Sequence, residues 1–203
     1  MIKRIFEILF SIIVLLLLWP IILMSSLVIF FEDFHNPFFI QKRLGKNKVN
    51  FNLIKLRTMA IDSPQLGTHE VNKNLYLKSS FLLRKFKIDE LPQFINVLLG
   101  NMTIVGPRPC LPSQNRLIEA RDKKHVFEFT PGITGISQLK KIMMDQEDIQ
   151  STVDSLYGKT ETKSLYFYLY CIVCTVYKFD RNLSLINNLI KKYTNYDEVS
   201  SSP

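Results

Sequence analysis

Ile8 to Phe31 form a run of 24 residues without a single charge, and no other feature limits the fold of this chain as strongly. A bilayer is crossed by roughly 20 apolar residues, so the run enters a membrane. It is longer than the roughly 7–15 apolar residues of a signal peptide and continues past Ser25-Ser26, which reads against cleavage. Pro20 falls near its centre, where it removes a backbone donor and bends a helix. Lys3 and Arg4 precede the run and Lys42, Arg43, Lys46 and Lys48 follow it, so the positive-inside bias draws both ends to the cytoplasm. Two forms fit these residues. One is a spanning helix kinked at Pro20, which membrane helices tolerate. The other is a helix that enters one leaflet, breaks at Pro20 and returns.

The second constraint is chemical. Asp89 and Glu90 stand side by side ahead of Leu91, Phe94, Ile95, Leu98 and Leu99, whose spacing predicts one buried helical face ended by Gly100. Pro92 is tolerated in the first turn of such a helix. The acidic pair would then lie at the positive end of the helix dipole, where anions are favoured. Successive helical residues point about 100° apart, so the two carboxylates suit different tasks. One can hold Mg²⁺ together with substrate phosphates while the other attacks phosphorus. An N-cap at Asp89 with a dipole-friendly Glu90 accounts for the same residues without any chemistry.

Gly106-Pro107-Arg108-Pro109 follows within twenty residues and fixes the backbone on both sides of one arginine. A guanidinium held in this way suits bidentate contact with phosphate. Upstream, Pro37–Leu44 and Val49–Arg57 read as a hairpin joined by Gly45-Lys46-Asn47-Lys48. The period of two puts Phe51, Leu53, Lys55 and Arg57 on one face, so Lys55 and Arg57 project together, either as solvated edge charges or toward a ligand. Residues 60–80 lack periodicity and read as a loop, a candidate lid. His35, His69 and His125 show no metal-ligand spacing.

The 26 Lys+Arg against 18 Asp+Glu imply an anionic partner. The charges are dispersed and accompany an apolar run, which favours anionic membrane lipids and phosphorylated substrates over nucleic acid. Three cysteines are too few for a disulfide scaffold, and Cys171 and Cys174 lie in the apolar stretch Leu165 to Tyr177, where they read as small buried hydrophobes. That stretch is too short to span; its tyrosines suit a membrane interface, and a core helix competes. Residues 179–203 read as a polar tail.

Six ordered segments resemble one family, the bacterial monotopic phosphoglycosyl transferases, or initiating sugar transferases. They are Lys3-Arg4-Ile5-Phe6-Glu7, Pro37 to Gly45, Lys55-Leu56-Arg57-Thr58-Met59, Asp89 to Gln93, Val105 to Pro109, and Pro131-Gly132-Ile133-Thr134-Gly135. The resemblance implies a small, helix-rich α/β catalytic domain with a short β-hairpin (residues 35–178) behind an N-terminal re-entrant membrane helix broken at Pro20 (residues 1–34). It also implies the cytoplasmic face of the bacterial inner membrane. The implied reaction moves a sugar phosphate from a UDP-sugar to polyprenyl (undecaprenyl) phosphate and releases UMP, initiating surface glycan assembly. Asp89 would be the nucleophile, forming a covalent phosphosugar intermediate. Glu90, with Asp89, would hold Mg²⁺, and Arg108, Lys55 and Arg57 would meet phosphate. Asp154-x-x-Tyr157 matches the family's late Asp-x-x-Tyr, making Asp154 a further candidate. A catalytically silent membrane scaffold of the same fold is the alternative, and self-association stays open.

Two departures stand out. The family continues after Gly135 with Trp-Ala-Gln-Val-Asn-Gly-Arg, whereas this chain has Ile136-Ser-Gln-Leu-Lys-Lys-Ile142. Tyr168 occupies the place of a late aspartate.

Overall fold

The computed structural model describes residues 2–61, 63, 75–142, 146–177 and 183–194. Most of the expected lid, including His69, lies outside them. Contacts divide the chain into two compact units: residues 1–42 with 52–100, and residues 43–51 with 101–203. This partition differs from a boundary at residue 34, because the apolar helix packs into the unit that follows it.

The first unit opens with α1 (Ile2–Asp33), one continuous helix with Pro20 inside. Its 32 residues correspond to about 48 Å at 1.5 Å per residue, and it is the one described helix long and apolar enough to cross a membrane. Its middle exposes Leu16, Leu17 and Trp19, while Glu7, Ser11, Ser26 and Ile29 toward its ends are buried. Both ends are tied down. Near the start, Arg4 Nη2 donates to Leu98 O at 3.1 Å and the Phe10 ring lies 6.1 Å from that of Phe94. At the finish, Arg57 makes a bidentate ion pair with Asp33, and the Glu32 carboxylate accepts the backbone N–H groups of Lys78 and Ser79. Ile29 joins Leu56, Leu77 and Leu83 in a small core, with Ile22 and Ile88 against it.

The hairpin forms as the sequence predicts, with β1 (Phe38–Leu44) and β2 (Asn50–Leu56). α2 (Ser80–Lys85) and α3 (Gln93–Leu98) complete the unit. α3 corrects the expected pattern twice. It starts at Gln93 because Pro92 has no N–H to continue the ladder and Lys87 turns the chain at φ 56°; Asp89 and Glu90 sit in a separate 3₁₀ turn, Ile88–Glu90. Its buried residues are Gln93, Asn96 and Val97, whereas Leu99 is 67% exposed. The amide of Asn96 explains this inversion: it accepts from Ile54 N at 3.0 Å and donates to Asn52 O at 2.7 Å, so the polar side is the one satisfied against β2. The apolar side turns to α1 and outward.

The second unit holds β3 (Thr103–Val105), α4 (Asn115–Lys123), β4 (Gly132–Thr134), α5 (Ile136–Leu139), α6 (Glu147–Ser155), α7 (Leu165–Tyr177) and α8 (Ser184–Tyr193). β3 and β4 pair in parallel, Thr103 with Gly132 and Val105 with Thr134. This pairing accounts for the Pro-Gly-Ile-Thr-Gly segment, since a Cβ on Gly132 would lie 2.1 Å from Gly106 N. α7 packs on this pair, joining Thr175 to Thr134 at 2.6 Å and burying Cys171 and Cys174. Tyr168 is buried too, its hydroxyl 3.4 Å from Thr103 Oγ1. α8 corrects the polar tail over its own residues: Ile186, Leu189 and Ile190 recur at i, i+3 and i+4 and are buried, and Lys192 pairs with Glu161 at 2.7 Å.

Lys141 has φ 54°, a left-handed conformation that favours glycine. Opposite stability effects are expected at two sites. Gly132→Ala should abolish folding of the second unit or lower its melting temperature steeply, whereas Lys141→Gly should raise it slightly. The left-handed conformation costs a residue with a Cβ about 1–2 kcal/mol, partly offset by glycine's greater freedom when unfolded. Thermal melts of both variants check this pair.

Candidate functional site

In the first unit the acidic turn packs against α1, with Ile88 set on the small core to which α1 contributes Ile29. Asp89 is 7% exposed and Glu90 is half-buried. Burial and the adjacent Glu90 carboxylate push the Asp89 carboxyl up to about 6, against the pull of the Lys55 and Arg84 cations. The fold thus brings Asp89, Glu90, Lys55 and Arg84 into one electrostatic neighbourhood. Lys55 Nζ sits 5.1 Å from the Phe39 ring centroid and Arg84 lies 4.7 Å over Tyr76, so both cations are oriented by aromatic faces. Arg84 is absent from the residues expected at the site, because no motif or spacing in the sequence marks it.

Arg57 does not share this neighbourhood with Lys55 as a phosphate ligand. Its guanidinium is buried and occupied, with Asp33 on both terminal nitrogens and Asn36 O on Nε at 2.7 Å. The burial that closes the end of α1 has taken the fork a phosphate would need. Arg43, expected among the membrane-flanking cations, is likewise buried, and donates to Pro109 O at 3.0 Å.

In the second unit the Gly106–Pro109 loop is fixed along its length. Gly106 N donates to Thr134 O at 2.9 Å, and Pro107 O accepts from Gly132 N at 2.8 Å. Arg108 O accepts from Arg121 Nη1 at 2.7 Å. The Arg108 side chain is half-buried, and among the described residues its guanidinium makes no hydrogen bond or ion pair. Asp154 is fully buried, accepting from Arg121 Nη2 at 2.6 Å and Ser137 Oγ at 2.5 Å, so solvent does not reach it. The Tyr157 hydroxyl oxygen accepts from Ile136 N at 2.8 Å. The Asp-x-x-Tyr pair therefore acts inside the unit, bracing Arg121 and the start of α5.

No group of three or more His, Cys, Asp or Glu side chains assembles among the described residues. Two neighbouring carboxylates nonetheless fit Mg²⁺, which takes one or two protein oxygens and completes its octahedron with water and substrate phosphate. They do not fit a closed structural zinc site.

A family model described as bacterial sugar transferase matches residues 1–181. The chain belongs to the bacterial sugar transferase family. A relative from Caulobacter vibrioides, UDP-glucose:undecaprenyl-phosphate glucose-1-phosphate transferase, is 30% identical over 152 residues, covering 73% of this chain and 57% of the relative. An Aeromonas hydrophila relative, UDP-N-acetylgalactosamine-undecaprenyl-phosphate N-acetylgalactosaminephosphotransferase, is 34% identical over 145 residues, covering 68% and 34%. The exopolysaccharide production protein ExoY of Rhizobium meliloti is 30% identical over 158 residues, covering 68% and 69%. The chain thus spans a little over half of the first of these relatives and a third of the second.

The elevated Asp89 carboxyl makes this protein less stable at neutral pH than it would be with a neutral side chain there. A raised folded-state value favours folding below the unfolded value near 4 and penalises it as pH rises through about 6. In EDTA, Asp89→Asn should therefore melt several degrees above wild type at pH 7.5. The advantage should shrink below pH 6 and vanish near pH 4. A rise of this size corresponds to at most about 3 kcal/mol. A melting temperature unchanged or lowered at pH 7.5 would contradict the burial assigned to this carboxylate.

Proposed function

We propose that this protein transfers a sugar phosphate from a UDP-sugar to polyprenyl phosphate, releasing UMP, as the first step of assembling a surface glycan. The observation that carries the reading is the burial of the Asp89 carboxyl in a turn that packs against the apolar helix, where a lipid-borne acceptor can arrive. The names of the relatives supply donor and acceptor classes that match.

In the first half-reaction an Asp89 oxygen attacks the β-phosphorus of the donor. The bond from that phosphorus to the bridging oxygen breaks, UMP leaves with the electron pair, and an acyl phosphate holds the sugar phosphate on the protein. In the second, an oxygen of polyprenyl phosphate attacks the same phosphorus and the carboxylate departs, restored. Attack requires the ionised form, which a value near 6 leaves predominant at neutral pH. Lys55 neutralises donor phosphate oxygens as charge moves onto UMP, and a phosphate role for Arg108 rests on its motif and its rigid loop in the second unit. Glu90, with Asp89 beside it, would hold Mg²⁺, which when bound neutralises diphosphate charge.

The membrane arrangement proposed is monotopic, on the cytoplasmic face of the inner membrane, with α1 bending at Pro20 so that it returns to the leaflet it entered. Three contacts support it: Arg4 with Leu98, Glu32 with Lys78 and Ser79, and Asp33 with Arg57 hold both ends of one helix on residues of the same unit. Its exposed apolar middle, Phe81 and Phe86 on or beside α2, and Leu99 give that unit a lipid-facing surface. Lys85, within 6 Å of both of these phenylalanine rings, suits anionic headgroups.

The chemistry is tested by incubating protein with UDP-sugars and Mg²⁺ but no lipid. One equivalent of UMP and a phosphosugar mass adduct are expected, both lost in Asp89→Asn. An adduct surviving that substitution, or turnover only when both substrates are present, would refute the covalent scheme; nucleotide binding without turnover would mark a silent scaffold. The topology is tested with single cysteines at Ile2 and Lys42. Neither should react with an impermeant thiol reagent outside intact cells, and labelling at Ile2 alone would establish a span.

A further inference from the structure

Arg121 has no part in the scheme above, yet it is among the largest side chains to be enclosed completely, at 2% exposure. A buried guanidinium is costly unless its charge is paired and its N–H groups are met. Its two terminal nitrogens meet different things. Nη2 donates to the Asp154 carboxylate at 2.6 Å, and Nη1 donates to the main-chain oxygen of Arg108 at 2.7 Å. Asp154 is in turn held by Ser137 at 2.5 Å. Helix α4, helix α6 and the start of α5 therefore converge on a single peptide carbonyl.

That carbonyl is the decisive one for aiming Arg108. Proline at 107 and 109 limits the backbone on either side, and the neighbouring carbonyls are already bound: Pro107 O by Gly132 N, Pro109 O by Arg43 and Cys110 O by Leu44 N. Pro107 O holds the peptide plane before Arg108, so fixing the Arg108 C=O fixes the plane after it, and the two planes together set the direction in which the side chain leaves the loop. We propose that Arg121, anchored by Asp154, is a positioning residue that sets the aim of the Arg108 guanidinium at donor phosphate. The inference rests on the phosphate role given to Arg108 above.

A purely structural ion pair between α4 and α6 would use the same atoms, so the test must separate the two roles. Arg121→Lys does so, because an ammonium can keep the charge pairing with Asp154 but has no planar fork to reach a second acceptor. In full-length protein in nanodiscs, single-turnover UMP release from UDP-sugar should slow by about tenfold or more, with KM for the donor raised. The same substitution made on an Arg108→Gln background should cause no further loss, since the group it positions is gone. Equal fold losses in both backgrounds, or near-normal rates for Arg121→Lys, would overturn the positioning role while leaving Arg108 in the reaction. Near-normal rates for Arg108→Gln alone would overturn both. If Arg121→Lys does not fold, the paired change Arg121→Met with Asp154→Leu removes both charges together, a replacement buried pairs often tolerate. The same cycle with Arg108→Gln then decides by the same outcomes.

Discussion

The ion pair between Arg57 and Asp33 closes the first unit. Asp33 ends α1, where the helix dipole disfavours a carboxylate, and a bidentate guanidinium from the end of β2 answers both the charge and the unmet hydrogen-bonding capacity. From there the contacts run in a ring. β2 passes to α3 through the Asn96 amide, and α3 returns to the start of α1 through Arg4 on Leu98 O. The turn carrying Asp89 and Glu90 packs against α1, with Ile88 on the core that α1 shares. Loosening any of these links would let water reach the Asp89 carboxyl and relax the burial that raises it.

The two units handle charge in contrasting ways. In the first, two adjacent carboxylates are kept close under partial burial, an arrangement that favours a bound cation or a substrate able to relieve their repulsion. In the second, the arginines divide their work. Arg43 and Arg121 are buried and bind the main-chain oxygens of Pro109 and Arg108, so the loop is rigid before any ligand arrives. A preorganised cation needs less reorganisation as charge develops on a leaving group than one that must be ordered at that moment. The cost is a set of desolvated guanidiniums: burial, together with Arg108 and Arg121 nearby, pulls Arg43 down to about 10.

Local signals carried far along this chain. The apolar run, the hairpin, the acidic pair and the rigid arginine loop are each written in fewer than thirty contiguous residues. Their physical causes are equally local: hydropathy, period-two alternation, proline and glycine geometry. The signals that misled were those in which side-chain type is a poor guide to surroundings. Leu99 and Ile95 look like core and are exposed, because α3 turns its polar side to β2. Gln93 and Asn96 look like surface and are buried, because a strand backbone satisfies the Asn96 amide. Arg57 looks like Lys55's partner by strand alternation, yet its fork is taken by Asp33.

The sequence by itself determined that the chain enters a membrane, which family it belongs to, and which carboxylates and arginine are the candidates for the chemistry, since these depend on composition and short-range spacing. Tertiary structure alone decided which of these charges are tied up inside the fold. Arg57 and Arg108 are both arginines in the motifs quoted above; one meets Asp33, 24 positions away, and the other is held by its carbonyl while its guanidinium makes no hydrogen bond or ion pair among the described residues. The part played by Arg121 is invisible along the chain for the same reason, because its two acceptors lie 33 and 13 residues distant. Burial and pairing are properties of position in space, and no period or motif along the chain encodes them.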